Sequence, residues 1–398
     1  MSRILFGVSG GISAYKAPEV LRAFIKAGHE VEVILTEAAE QLVSALTLAT
    51  LANKKIWRQS DFLSTECGWT IPHINLSKWA DVLVIAPCTA ETISNLASGR
   101  AESLLCAAAL AIPENKPVVV FPAMNTAMLA NAATIENMNK LGQRGVFVID
   151  PDNGMLACGD EGKGRLPSPE VIMEETLRAV YMRSSESNKR KLMRGKKVLI
   201  TAGATQEYID PVRFISNVSS GKMGAALAKT AWRRGAEVKI ILGAHSTPPI
   251  HGIETIDVFS ANDMLKAVME NLEWADIIVK AAAVCDFRAM TPSAKKIKRE
   301  GKDTISIDLV QNPDIAFEIG KLKRENQILI GFALETNDMI DNAISKMERK
   351  NMDKIIANEV GALGSDGSSV VIIKSNGSKV SFVGSKEDIS NVLWDDLS

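Results

Sequence analysis

Ile4-Leu5-Phe6-Gly7-Val8-Ser9-Gly10-Gly11 is an apolar strand that runs straight into a glycine turn, and Val198-Leu199-Ile200-Thr201-Ala202-Gly203-Ala204-Thr205 repeats the design in the other half of the chain. Such a turn lets backbone N–H groups approach a phosphate, and the helix that follows points its positive end at the same anion. Two nucleotide-type sites, and with them two chemistries, are therefore expected in one chain. Neither turn is G-x-G-x-x-G, so the letters do not license an ordinary dinucleotide fold.

Outward from these turns, short apolar runs alternate with helical segments. Residues 31–35, 82–86, 118–121 and 146–149 are apolar on both faces, as buried parallel strands are, and helices are expected over 89–97, 101–112 and 126–141. The second half continues with strands at 198–201, 238–242, 277–280, 328–332 and 354–357 and helices at 223–234, 261–272 and 339–350. Asn376-Gly377, between alternating runs at 369–373 and 379–383, predicts a hairpin. The pattern is α/β, with two doubly wound, Rossmann-like domains over 1–183 and 196–398, joined by a polar and basic linker at 184–195.

A chain of 398 residues exceeds one ordinary core, which agrees with two domains. A formal net charge of -1 provides no bulk attraction to nucleic acid or an anionic membrane, so anionic ligands must be held by local clusters. The strand that follows Met1-Ser2 leaves no room for a signal peptide, and no apolar run approaches the ~18 residues that span a bilayer. A cytoplasmic protein is expected. Cys67, Cys88, Cys106, Cys158 and Cys285 are scattered without a C-x-x-C pair, which argues against a disulfide framework and a zinc site.

Three segments give the first half its chemistry. Glycines in Gly7 to Lys16 free the backbone, Ser9 and Ser13 offer hydroxyls, and Lys16 lies one helical turn in, within reach of a phosphate. Ala86-Pro87-Cys88-Thr89 and Phe121-Pro122-Ala123-Met124-Asn125-Thr126 both end a strand, turn at proline and open a helix, so they meet where α/β sheets bind ligands. Asn125 is either a carboxylate clamp or a helix N-cap. Gly154 to Leu166, with four glycines, reads as a mobile loop, and Cys158 within it reads as an acid presented by a closing flap. His73 is one of four histidines; spacing alone favours a structural role for it.

Taken together, Ser9-Gly10-Gly11 with Tyr15-Lys16, then His73, Pro122 to Met128 and Leu156-Ala157-Cys158-Gly159, resemble the flavin-dependent cysteine decarboxylases. The whole chain resembles the bifunctional phosphopantothenoylcysteine decarboxylase/phosphopantothenate-cysteine ligase family of coenzyme A synthesis. The resemblance implies a flavodoxin-like domain that binds FMN through Ser9, Gly10, Gly11, Lys16, Thr36, Pro87, Thr89 and Met124. It also implies oxidation of the substrate's cysteinyl thiol, loss of carbon dioxide from the thioaldehyde, protonation of the enethiolate by Cys158 and return of the hydride. His73 becomes the base or flavin-side organiser, and Asn125 the carboxylate clamp. Glu91 and Cys88 depart from the family's usual Asn and Ala or Ser.

The second half carries a polar run from Gly203 to Gly224, in which Ser219-Ser220-Gly221-Lys222 opens a helix as a phosphate-cradling turn does. Asp286 follows a buried strand, and Lys295-Lys296-Ile297-Lys298-Arg299 could be a solvated loop or a substrate clamp. Lys346 and Lys350 stand at i, i+4, where like charges repel; they either bracket a phosphate or are solvated surface lysines. The Asp-Pro-Val-Arg-Phe-Ile, Ser-Ser-Gly-Lys-Met-Gly, Lys-x-Lys and Asn-Pro-Asp runs resemble the ligase half of the same family. The resemblance implies that CTP activates the carboxylate of 4′-phosphopantothenate as an acyl cytidylate, and that cysteine's amine then displaces CMP.

Carried over by position, Asn217 contacts the cytidylate and Lys296 supports the second half-reaction. Gly203, Ser219, Ser220, Lys222, Ala281, Ala282, Ala283, Asp286, Lys298, Asn312, Pro313, Asp314, Ile315, Phe332, Lys346 and Lys350 surround CTP, and Asp286 meets Mg²⁺. Ala204, Val218, Cys285 and Arg299 depart from the family's usual residues. The resemblance further implies a homo-oligomer of trimeric decarboxylase and dimeric ligase contacts, compatible with a dodecamer, in which a neighbour completes each flavin site. A nicotinamide oxidoreductase would need the missing G-x-G-x-x-G turn, and a non-catalytic flavin-binding scaffold need not keep His73 and Cys158.

Overall fold

Ile4, Phe6 and Val8 of the first strand pack into one buried cluster and Leu5 into another, on opposite sides of the same sheet. Residue parity places them so, since alternate side chains of a strand leave by opposite faces. The computed structural model describes residues 1–65, 70–188, 192–248, 250–298, 304–335, 339–359 and 367–397. It divides into two units, Met1–Lys189 and Arg190–Ser398.

The first unit runs β1 (Arg3–Val8), α1 (Ala17–Lys26), β2 (Glu30–Leu35), α2 (Glu37–Glu40), α3 (Ala45–Ala52), β3 (Ile56–Trp57), α4 (Pro72–Trp79), β4 (Val82–Cys88), α5 (Ala90–Ser98), α6 (Leu104–Leu110), β5 (Val118–Pro122), α7 (Thr126–Ala130), α8 (Ala132–Gln143), β6 (Phe147–Val148), β7 (Asp152–Met155), β8 (Glu161–Arg165) and α9 (Pro169–Asn188). Its main sheet is parallel throughout, in the order β3-β2-β1-β4-β5-β6. The order reverses between β1 and β4, and the crevice above their carboxyl ends is the expected ligand position.

The second unit runs β9 (Lys197–Ala202), β10 (Gln206–Tyr208), β11 (Phe214–Ser216), α10 (Lys222–Arg233), β12 (Glu237–Leu242), β13 (Glu254–Asp257), α11 (Ala261–Leu272), β14 (Ile277–Lys280), β15 (Phe287–Ala289), β16 (Leu309–Gln311), α12 (Ile315–Leu322), β17 (Ile328–Glu335), α13 (Met339–Arg349), β18 (Lys354–Glu359), β19 (Gly367–Lys374), β20 (Lys379–Ser385) and α14 (Lys386–Asp395). Its sheet order is β13-β12-β9-β14-β17-β18-β19-β20, parallel as far as β18 and antiparallel beyond. The expected hairpin joins β19 to β20, with Gly377 at a φ of 81° in its turn.

Three expectations are corrected. The helix expected over 126–141 is broken at Asn131, whose side chain caps α8 by accepting from the Ala133 amide at 3.0 Å. A side chain that can satisfy a free N–H restarts a helix more cheaply than it continues one. The linker expected at 184–195 is helical as far as Asn188, and Met193 is buried in the second unit's core; Lys189 to Lys191 lie outside the described residues. The glycine-rich loop around Cys158 is an antiparallel hairpin of β7 and β8.

Candidate functional site

At the carboxyl ends of β1, β4 and β5 the first unit has a cavity of about 1190 Å³. Gly10 and Gly11 form one wall, Thr36 and Thr89 cap α2 and α5 beside it, and Met124 and Asn125 close it from the β5 turn. A Cβ on Gly10 would collide with Ala38, so the glycine is needed for a close backbone approach. Lys16 and Arg165 bring two cations to the same space; partial burial and the neighbouring Arg165 both lower the Lys16 ammonium's pKa. A site that disfavours its own cations favours an anion. Arg165 was missed in the sequence because nothing local separates it from the glycines around it.

Ser9 and Pro87 do not line this cavity. The Ser9 hydroxyl is 1% exposed, donating to the Pro87 carbonyl at 2.8 Å and accepting from the Thr89 amide at 2.9 Å, so it ties the two strand ends together. Ser13, half-buried, brings a hydroxyl to the cavity instead. The Ala86–Pro87 peptide is cis. Of the two departures from the family pattern, Glu91 lines the cavity, whereas Cys88 is fully buried and burial raises its thiol pKa. His73 also lies outside the cavity of its own chain; it packs edge-on against Phe62 at 5.5 Å, with its Nδ1 buried and unpartnered among the described residues.

At the cavity mouth three side chains converge. The Asn125 Oδ1 accepts from the Ala127 amide at 2.8 Å, which makes it an N-cap, while its Nδ2 donates to the Cys158 sulfur at 3.3 Å and to Asp160 Oδ2 at 3.2 Å. The Cys158 thiol in turn donates to Asp160 Oδ2 at 3.3 Å. Asn125 therefore caps α7 through Oδ1 and keeps Nδ2 for the groups at the mouth. The hairpin that holds Cys158 lies directly on the β5 turn: Met124 N–H donates to the Gly164 carbonyl at 3.0 Å and Thr126 Oγ1 to the Lys163 carbonyl at 3.0 Å. A Cβ on Gly162 would fall 2.7 Å from Thr126 Oγ1, and one on Gly164 would collide with the Met124 carbonyl oxygen. These two glycines allow the close docking of the hairpin. Asp160 was legible only as a neighbour of Cys158.

In the second unit a cavity of about 180 Å³ opens beyond the ends of β14 and β17, against α12 and α13. Ala282, Asp286, Asn312 to Ile315, Phe332, Lys346 and Lys350 line it. Lys350 pairs with Asp314 at 2.7 Å and Lys346 donates to the Phe332 carbonyl at 3.2 Å, which draws the two ammonium groups to different partners. Burial opposes ionisation of Asp314, but the hydrogen bonds from Lys350 and the Phe317 amide outweigh it and hold the carboxyl below its ordinary value. Lys280, which the sequence reading did not single out, also lines the cavity.

Several residues expected around the nucleotide do not line this cavity. Gly203, at a φ of 76°, packs against the 243–244 backbone and accepts from the Ala283 amide at 2.8 Å, so it joins strand ends. Ala281, Ala283, Ser219, Ser220 and Lys222 do not line the cavity; Ser219 Oγ accepts from the Gly221 amide at 3.4 Å, just ahead of α10. Asn217 reaches it indirectly, donating to the carbonyl of the lining residue Val284 at 3.0 Å. Lys296 and Lys298 are exposed outside it, and Arg299 lies outside the described residues. Asp286 is exposed, and among the described residues no group of three or more His, Cys, Asp or Glu could hold a metal ion.

Asp210 ties the run that contains Lys296 to the preceding turn. Its carboxylate accepts from the Val212 and Arg213 amides at 2.8 Å each, from Arg213 Nε at 2.9 Å and from the Ile297 amide at 3.1 Å. Arg213 also donates to the Ile297 carbonyl at 2.6 Å. The Arg213 guanidinium, helped by these amides against burial, holds the carboxyl well below the usual carboxylate range.

Residues 1–181 match the flavoprotein family, and residues 193–398 match the DNA/pantothenate metabolism flavoprotein C-terminal domain. The chain is 38% identical to the coenzyme A biosynthesis bifunctional protein CoaBC of Escherichia coli (strain K12), over 99% of this chain and 96% of that protein. The chain belongs to this family. It is a bifunctional decarboxylase and ligase of coenzyme A biosynthesis. The bifunctional protein CoaBC of Mycobacterium bovis is 40% identical over 79% of this chain and 73% of its own length. A crystal structure of the C-terminal domain of a bifunctional protein CoaBC covers 51% of this chain and 94% of its own, at 35% identity and a TM-score of 0.45. Among the described residues no helix is long and apolar enough to cross a membrane.

Proposed function

We propose that the first unit decarboxylates 4′-phosphopantothenoylcysteine to 4′-phosphopantetheine with FMN, and that the second makes that substrate from 4′-phosphopantothenate and cysteine with CTP and Mg²⁺. The convergence of Asn125, Cys158 and Asp160 at the mouth of the larger cavity carries the reading. FMN supplies a reversible two-electron oxidation of the substrate carbon that bears the thiol. The cavity suits it: Gly10 and Gly11 leave a backbone cradle, Lys16 and Arg165 are cations for its phosphate, and Thr36, Thr89 and Met124 are at hand for the rest.

Asn125 donates through Nδ2 to the substrate carboxylate, taking over a bond now made to Asp160. Cys158 delivers a proton to the enethiolate left by loss of carbon dioxide, and Asp160 orients the thiol until then. In the second unit the lysines around Asp314 bind the nucleotide's phosphates, and Asp286 would be the protein carboxylate that holds Mg²⁺, which would neutralise charge building on those phosphates. The position of His73 outside its own cavity supports an assembly in which a neighbouring subunit brings it to the flavin. Trimeric decarboxylase contacts, dimeric ligase contacts and a cytoplasmic location complete the proposal. Incubating pure protein with phosphopantothenate, cysteine, CTP and Mg²⁺ should release CMP and carbon dioxide together; release of neither rejects the proposal.

Two variants probe the supports. Gly164→Ala should push the hairpin off the Met124 turn and displace Cys158, lowering decarboxylation about 10²-fold with ligation unchanged; unaltered decarboxylation would show that the docking is dispensable. Asp210→Asn should release the Ile297 turn and cut ligation about tenfold, with decarboxylation unchanged. Because the Asp210 carboxyl is depressed in the folded state, its contribution to stability is complete above about pH 4 and is lost as pH falls further. Arg213 is 43% exposed, so solvent screens part of that contribution. Ligation and acid unfolding of the two proteins, measured side by side, check both expectations.

A further inference from the structure

Lys280 ends β14, between Thr201 of β9 and Gly331 of β17. Ile278, two residues earlier on the same face, packs in the cluster that contains Ile315, Ile319 and Met347, so Lys280 faces α12 and α13. It is 8% exposed, lines the smaller cavity, and its Nζ has no hydrogen-bond partner among the described residues. A buried ammonium without a partner is costly and is seldom left so unless a ligand completes it. The neighbouring carboxylate, Asp314, is already held by Lys350.

We infer that Lys280 is a phosphate-binding residue of the ligase site, an ammonium that the nucleotide's phosphates complete on binding and that takes up a proton as they arrive. The inference rests on the proposal that this cavity belongs to the CTP site, and deepens it. Burial, the largest influence, brings the Lys280 ammonium down to about 7; Asp314 pulls it up, while Lys350 and Lys346 push it lower. These three are the charged groups that face it, since the strand neighbours Thr201 and Gly331 carry none, and Asp286 lines the same cavity. Above neutrality the empty site therefore holds Lys280 mostly neutral, and a polyphosphate restores its charge. Affinity should then fall with rising pH, by up to about tenfold per unit, between the depressed value and the ordinary lysine range. At about 180 Å³ the cavity is smaller than the ~300–1,000 Å³ that encloses a drug-sized ligand, so it takes one part of the nucleotide.

The test is calorimetric titration of the full-length protein with CTP and Mg²⁺, in buffers of different ionisation enthalpy at pH 7 and pH 8, with inorganic pyrophosphate as a second probe. Wild type should take up close to one proton per CTP at pH 8. Lys280→Met, which keeps length without charge, should bind CTP and pyrophosphate at least about tenfold more weakly at pH 7 and take up no proton. Lys280→Arg should bind without proton uptake, because a guanidinium stays charged. Equal affinity of Lys280→Met and wild type, or wild-type binding at pH 8 with no proton uptake, overturns the inference and leaves the CTP site standing. Failure of wild type itself to bind CTP overturns both. Thermal unfolding of the unliganded Lys280→Met protein, expected at or above the wild-type temperature, separates lost binding from misfolding.

Discussion

Cys158→Ser should bind FMN as the parent protein does and release carbon dioxide, yet produce 4′-phosphopantetheine about 10²- to 10⁴-fold more slowly. Cys158 sits at the turn of the β7–β8 hairpin, where its thiol donates to Asp160, and the Gly10 to Lys16 wall belongs to β1 and the segment after it. Replacing sulfur with oxygen leaves that wall untouched. It also leaves the Asn125 amide free to hold a carboxylate, so the steps that precede protonation continue. A serine hydroxyl is a far weaker acid than a thiol, and the step that needs an acid stalls. Mass spectrometry should find a decarboxylated species lighter than the product by two hydrogens. Product formation at the parent rate would remove Cys158 from the chemistry and leave Asp160 as the acid to examine.

Lys296→Gln is expected to stop amide formation, by a factor of at least about 10², with decarboxylation of supplied 4′-phosphopantothenoylcysteine unchanged. Lys296 is exposed outside the smaller cavity, so it is not held in place by burial. Its position is fixed by its neighbour Ile297, through the amide bond to Asp210 and the carbonyl bond to Arg213. A cation at that place can stabilise charge as the amine of cysteine displaces CMP, and an uncharged amide of similar length cannot. Pyrophosphate release in a single turnover should survive in the variant while CMP release fails. Loss of both activities together would mean that the substitution disturbed folding; loss of neither would make the basic run a solvated surface.

Much of the architecture was legible because it is written in local periodicity. Apolar runs such as Val82 to Ala86 are buried on both faces, and Asn376-Gly377 makes the turn its letters call for. The breaks in the pattern were harder. Asn131 interrupts a helix that hydrophobic spacing would continue, because one side chain satisfies a free amide there. Residues 184–188 are polar and look like a linker, yet polar composition does not prevent a helix whose nucleus is already formed upstream.

The sites divide in the same way. Cys158, Asn125 and Lys16 stand out by residue type and by the turns around them, and the fold brings them to one cavity. Ser9 and Gly203 stand out equally, but their polar and backbone groups are used between strand ends.

By itself the sequence determined two α/β units, the strand ends at which the cavities open, and the pairing of a glycine turn with a thiol in one chain. Those features depend on neighbours within a few residues, where backbone sterics and side-chain periodicity act. Only the tertiary structure decided that the glycines near Cys158 let a hairpin dock, that His73 does not line its own cavity, that Asp210 positions the turn beside Lys296, and that Lys280 is buried without a hydrogen-bond partner among the described residues. The physical reason is that hydrogen bonding and desolvation are set by whichever groups arrive from distant parts of the chain, and a residue's letter does not say whether its partner has come.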